Sequence, residues 1–416
     1  MKARQYIIAA ILATATLTFC ACEKDDTDFS SRINGSTNND DSSDDEEPTI
    51  DIREIALDES DLDEGTETIP TAATSSLTYN DYWENSDWDY TVYIAYSGTT
   101  ATVTGNTEKV SVETDGAYVT ITSTSKHMHY IVSGTTGDGH LQIYSDNKYK
   151  LTLNGLTMKC LTRSAINNQC GKTMYVHLAE GTTNTLEDAA SYTTATKGED
   201  EKGAFFSEGQ VIFSGKGSLR VTGNAKNGIA SDDYIRFRPG CKVSITTTNG
   251  NGIKVNDGLY VSGGVINISV NDAAGYKGIN SEAFVNIDGG RTTIINSSAT
   301  RVESTNLTKS AAIKCDSTYT QTAGTVNLKA TGEGGKGLNA DKTITISGGQ
   351  LNVVTLGDKT NASPKGISSD IDIAISAAKV YSYSANASPI DATGTLSIAE
   401  GYSLLEQSDR LFNVEY

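Results

Sequence analysis

Six acids and amides recur at one offset along this chain. Asp232, Asn256, Glu282, Asp316, Asp341 and Asp370 each stand four residues after a small residue that opens a small–aliphatic pair. Asp233 and Asp257 add a carboxylate beside two of them. If the pairs stack, carboxylates one rung apart repel by about 1 kcal/mol in water and about 3.5 kcal/mol at an effective dielectric of 20. A calcium ion takes roughly six to eight oxygen ligands and would relieve that repulsion. The eight residues are therefore the candidate Ca2+ ligands, and calcium is expected to stabilise the folded body. A turn preference accounts for any single Asp equally well, because such side chains hydrogen-bond the local backbone at corners.

A second set precedes the pairs. Lys202, Lys277, Lys336 and Lys365, lysines beside acids, would hold uronate carboxylates. One of them would instead serve as a lyase base if burial or cationic neighbours brought its pKa near neutrality. Ordinary solvated lysine is the third reading. Tyr79, Tyr82, Trp83, Trp88, Tyr90, Tyr93 and Tyr96 cluster where ring stacking on sugars or burial in a cap are both open. Cys160 and Cys170 are near enough in sequence for a disulfide, or are buried thiols. His127, His129, His140 and His177 are too scattered to argue a triad, and no Gly-x-Ser-x-Gly elbow is present.

What must position these side chains is a repeat. The pairs Gly228-Ile229, Gly252-Ile253, Gly278-Ile279, Ala312-Ile313, Gly337-Leu338 and Gly366-Ile367 are spaced by 24, 26, 34, 25 and 29 residues. Ala165-Ile166, Gly203-Ala204 and Pro389-Ile390 extend the series at its ends. Each unit carries short alternating segments and often a Gly-Gly, as in Leu259–Gly264 or Ile344–Gly349. Alternation puts Ile, Val and Leu on one face and Thr, Ser and Asn on the other. Three short strands with Gly corners fill such a unit, with no room for a helix of ordinary length. The fold class is therefore all-β, a single parallel β-helix. The interval of 34 must hold an extra loop, with 299–309 as its polar candidate.

The ends read differently. Lys2, Arg4 and the apolar run Ile7–Leu17 lead to Cys20-Ala21-Cys22, which resembles a bacterial lipoprotein signal. Ala21 favours Cys22 as the lipidated residue. Acids directly after it resemble an export tag for the cell surface, so the expected location is the outer membrane, facing outward, with membrane contact only through the lipid. Residues 23–75 hold 18 Asp/Glu against 3 Lys/Arg. The expected organisation is a signal over 1–21, a disordered acidic tether over 22–75, and a β-helix over 76–416. Within the last, 76–150 would form the first coils and a cap, and 402–416 a second cap. The formal charge of −19 argues against nucleic acid as a partner.

Several stretches resemble a family of secreted bacterial carbohydrate-binding β-helix proteins. They are Val119-Thr120-Ile121, Leu151–Leu156, and Gly217–Asn224 running on to Asn227-Gly228-Ile229. The resemblance spans about 115–400. It implies a right-handed, calcium-containing β-helix that binds acidic plant-wall polysaccharide and is similar in fold to calcium-dependent pectate lyases. Arg236–Gly240 and the long 278–312 interval depart from the pattern. Three functions follow as expectations. The first is calcium-dependent, non-catalytic binding of a polygalacturonate-like glycan; the others are a calcium-dependent polysaccharide lyase and an adhesive stalk without a glycan ligand.

Overall fold

A computed structural model describes residues 55–71, 77–193, 199–271, 273–399 and 404–408. The signal segment and Cys22 lie outside them. The chain winds as a parallel β-helix with three faces. The first face is a 12-stranded sheet that includes Tyr118–Ser123, Gly203–Ser207, Asn227–Ser231, Lys277–Ser281, Ala311–Cys315 and Lys336–Ala340. The other two faces are joined in a 22-stranded sheet. The second holds short strands such as Ile235–Phe237 and Leu259–Val261, and the third longer ones such as Ser218–Gly223, Lys242–Thr247, Val265–Val270 and Arg291–Asn296.

The small–aliphatic pairs are the ladder of the first face. Val119, Leu141, Ile166, Phe205, Ile229, Ile253, Ile279, Ile313, Leu338 and Ile367 stand in register and are wholly or almost wholly buried. Burying one such side chain contributes about 1.5–3 kcal/mol. The glycine before Ile229, Ile253, Ile279, Leu338 and Ile367 is required by close approach across the interior. A Cβ on Gly252 would meet Ile268 Cγ2 at 2.3 Å. One member is shifted from expectation. Phe205 pairs with Ile229, so Ala204 and not Gly203 occupies the anchor position, and Lys202 falls one residue out of the lysine column. Positive φ serves corners such as Gly264 (+84°), whose Cβ would come within 2.5 Å of the Cys241 carbonyl oxygen.

Thr100–Gly105 and Ser111–Asp115 pair antiparallel with their neighbours and end the parallel stack. At the other end Leu404–Ser408 pairs parallel with Val380–Ser384, a further rung; the rest of the expected second cap lies outside the described residues.

Arg236–Gly240 departs from the repeat because it receives the N-terminal segment. Arg236 Nε donates to Asp81 (2.6 Å), and Tyr234 OH donates to the other oxygen of that carboxyl. Arg238, 3% exposed, reaches both Glu84 and Glu67 at 2.9 Å. Tyr82 lies under the same guanidinium, Trp83 packs edge-on to His177, and Trp88 packs edge-on to Tyr175. These aromatics pack the clasp. The segment expected to be a tether out to residue 75 therefore lies, over 55–71, against the solenoid. Its acids find partners in Arg220, Arg238, Lys242 and Arg291, which a composition-based reading of the segment alone does not reveal. The four thiols of Cys160, Cys170, Cys241 and Cys315 are buried and free, so no Cys160–Cys170 disulfide is formed.

Candidate functional site

The acid column does stack. Backbone N–H groups of Asp232, Asn256, Glu282, Asp316, Asp341 and Asp370 each donate to the preceding rung, at the carbonyls of Ser207, Ser231, Val255, Ser281, Cys315 and Ala340. Asn256 also donates its side-chain amide to Asp232 (3.2 Å). Each residue follows directly on a strand of the first face.

Their charges are met by lysines. Lys202 pairs with Asp232, Lys254 with Glu282, and Lys314 with both Asp316 and Asp341 (2.7 Å each). Burial works against the Lys314 charge, but hydrogen bonds to Asp316 and Asp341 hold its pKa above the usual lysine value. Lys254 and Lys314 do not follow the column rule, since they point outward from mid-strand; ordinary alternation within Ile253–Val255 and Ala311–Cys315 was their only signal. Asp233 caps its own turn, accepting the Tyr234 N–H at 2.8 Å. Burial raises its pKa, with the Asp257 charge adding to the effect. Among the described residues no three His, Cys, Asp or Glu side chains converge on a point that would hold a metal ion. The column therefore does not fit a pre-built calcium cage.

The lysine column is brought together in part. Lys277, Ala311 and Lys336 are successive partners in register, and Lys365 precedes the next rung. Lys365 turns away to Asp391. Lys277 and Lys336 line one cleft of about 380 Å³, with Lys309, Lys314, Ser310, Asn339, Asp341 and Asp370. The long 278–312 interval supplies its wall. There Arg301–Glu303 and Asn306–Thr308 pair as an antiparallel hairpin, and Leu307 and Thr308 overhang the cleft. The irregular interval marks the cleft.

Four lysines and two aspartates line this hollow in a chain of net negative charge. Burial pushes Lys277 down to about 8, helped by Arg301 and Lys314 and opposed by Asp316. Burial likewise pushes Lys336 down to about 8, helped by Lys309 and Lys365 against Asp370 and Asp391. Lys277 donates to the Gly275 carbonyl (2.9 Å), and Lys336 donates to Asn339 Oδ1. An anionic group placed here would offset the cost of crowding half-desolvated cations. A larger hollow, about 540 Å³, lies where the N-terminal segment meets the second face. Its walls carry Asp61, Asp63, Glu64, Glu67, Glu84 and Glu180 against Lys216, Arg238 and Lys242, a net negative lining that would disfavour the same anion.

No curated protein matches the chain. A solved structure described as a polysaccharide lyase-like protein from C. thermocellum, a gadolinium derivative, is similar at 20% identity and a TM-score of 0.44. The match covers 76% of this chain and 100% of that one. A family model described as carbohydrate-binding domain-containing protein matches residues 115–410, which takes in the described coils from Ala117 to the last strand and the whole lysine cleft. The chain belongs to that carbohydrate-binding domain-containing family.

Proposed function

We propose that the protein binds acidic, uronate-bearing polysaccharide in the lysine cleft of the first face, without cleaving it. The observation that carries this reading is the convergence of Lys277, Lys309, Lys314 and Lys336 on one open hollow. The ammonium groups of Lys277, Lys309 and Lys336 would take glycan carboxylates, while Ser310 and Asn339 supply neutral hydrogen bonds for hydroxyls. The test is calorimetric titration with polygalacturonate and with a neutral galactan. The native protein should bind the first only, and K277Q/K336Q should lose at least tenfold in affinity with its circular dichroism unchanged. Equal affinity in the double variant would sink the reading.

Calcium belongs to this reading as an ion completed by the ligand. Asp341 and Asp370 on the cleft wall, glycan carboxylates and water would together make up its oxygen shell. Anchoring at the outer-membrane surface through lipid on Cys22 is proposed with it, and metabolic labelling with a fatty acid, lost in C22S, tests that part.

A lyase is the second reading. Lys336 and Lys277, with pKa values near 8, hold a usable fraction of free amine near neutral pH, as a base that abstracts a proton α to a carboxylate requires. Ultraviolet absorbance from unsaturated uronate products separates the two readings.

A further inference from the structure

Residues 55–61 run lengthwise down the third face, across its strands. Ile55 packs beside Val354, Tyr381 and Tyr383. Asp58 pairs with Arg291 (3.1 Å), Glu59 with Arg220 (2.7 Å), and Asp61 with Lys242. These cations and Asn267 stand on four consecutive rungs, Ser218–Gly223, Lys242–Thr247, Val265–Val270 and Arg291–Asn296, about 14 Å along the axis. Neutral groups lie among them. Asn267 donates to the Asp58 carbonyl (2.8 Å) and accepts the Asp58 N–H (3.3 Å), and Ser244 Oγ donates to Glu59 (3.0 Å). A hollow of about 130 Å³ lies here, lined by Glu59, Arg220, Lys242, Ser244 and Asn267 among others.

The attachment changes character along the segment. At one end Glu64 accepts the N–H groups of Gly240 and Gly264 at 2.7 Å each, and Glu67 grips the buried Arg238. At the other, Arg220 and Glu59 are 53% and 52% exposed, and Asp61 is 88% exposed. Exposed pairs of this kind add little to stability and are weakened by salt. Glu59 and Asp61 are thus lightly held between a firm pivot at 64–67 and the closer grip of Arg291, 15% exposed, on Asp58 and the Ser60 carbonyl (2.7 Å).

We propose that this stretch of the third face is a second groove for a linear acidic polysaccharide, and that residues 58–61 fill it as a built-in competitor. The proposal rests on the acidic-glycan reading above and adds a separate site with its own control. An extended polyuronate offers a carboxylate on each sugar and hydroxyls between them. Asp58, Glu59 and Asp61 offer carboxylates with backbone carbonyls between them. Tethering gives even a weak segment a high effective concentration at its groove, so the polymer must displace it.

The experiment titrates polygalacturonate into the full chain at low salt, comparing the native protein with D58N/E59Q/D61N. The triple variant should bind about tenfold tighter, or with one added site. Adding R220Q/K242Q to it should abolish the gain while leaving the cleft's binding. Hydrogen exchange at 58–61 in the native protein should speed up when polymer is added. Unchanged affinity and stoichiometry in D58N/E59Q/D61N, or a gain that survives R220Q/K242Q, overturns the proposal. The two readings fail separately. A gain seen in D58N/E59Q/D61N on a K277Q/K336Q background supports the groove whatever the cleft does. Native binding that K277Q/K336Q removes, with no gain from the triple variant, keeps the cleft and overturns the groove.

Discussion

Lys277 and Lys336 show what can and cannot be read one residue at a time. Their place before the small–aliphatic pairs was legible, because the repeat fixes the position of every residue relative to its anchor. Their environment was not. The crowding comes from Arg301 on the inserted hairpin, from Lys309 directly after it and from Lys314 one strand away, and no local pattern announces those approaches. Lys365 had the same sequence credentials and went to Asp391 instead. The crowding predicts a pH profile. A lysine whose folded pKa lies near 8 carries its charge below that value and loses it above. Uronate carboxylates are ionised above about pH 4–5. Affinity for polygalacturonate should therefore be flat from about pH 5.5 to 7 and fall as pH rises through 8. The fall should spread upward, because bound polyanion raises both pKa values. Calorimetry from pH 6 to 10 checks this, and an affinity unchanged until about pH 10 would show ordinary lysines at the site.

At the scale of elements, the coils were legible and the clasp was not. Gly252 must be small because Ile268 stands opposite, and Ile253 must be apolar because it joins the buried ladder. Both demands recur with every turn, so they print a period on the sequence. The clasp depends on single long-range pairs. Glu67 and Arg238 are 171 residues apart, and nothing repeats. Arg-Phe-Arg-Pro-Gly registered only as a break in the pattern, although Phe237 keeps its inward place, stacked on Phe213 at 4.9 Å. Because Arg238 is buried against two carboxylates, its loss leaves Glu67 and Glu84 facing each other without a cation. Arg238→Ala should cost about 3 kcal/mol of stability. Arg220→Ala, at an exposed pair, should cost less than about 1 kcal/mol. Urea denaturation of the two variants decides the matter, and equal losses would remove the distinction between pivot and lightly held segment.

For the whole molecule, the question is what partners its acids, since the net charge of −19 already counts every Lys and Arg. The acid column first suggested calcium as the compensating ion for the fold. In the folded chain Lys202, Lys254 and Lys314 occupy that role, each bonded to a column carboxylate. Arg220, Arg238, Lys242 and Arg291 do the same for the acids of 55–71. These acids thus have cations of the chain as partners, and in the reading proposed above calcium acts where glycan carboxylates complete its shell. An ion bound only by the folded state at a hundred times its dissociation constant would add about 2.7 kcal/mol and raise the melting temperature by several degrees. We expect no such shift. Chelation should leave the melting curve of the free protein in place, while lowering the affinity for polygalacturonate severalfold. Asp341→Asn with Asp370→Asn should reproduce that loss and make affinity insensitive to chelator. A melting temperature that drops on chelation and recovers with calcium but not magnesium would return the ion to the fold. The lysines of the column would then be partners to a metal site and not substitutes for one.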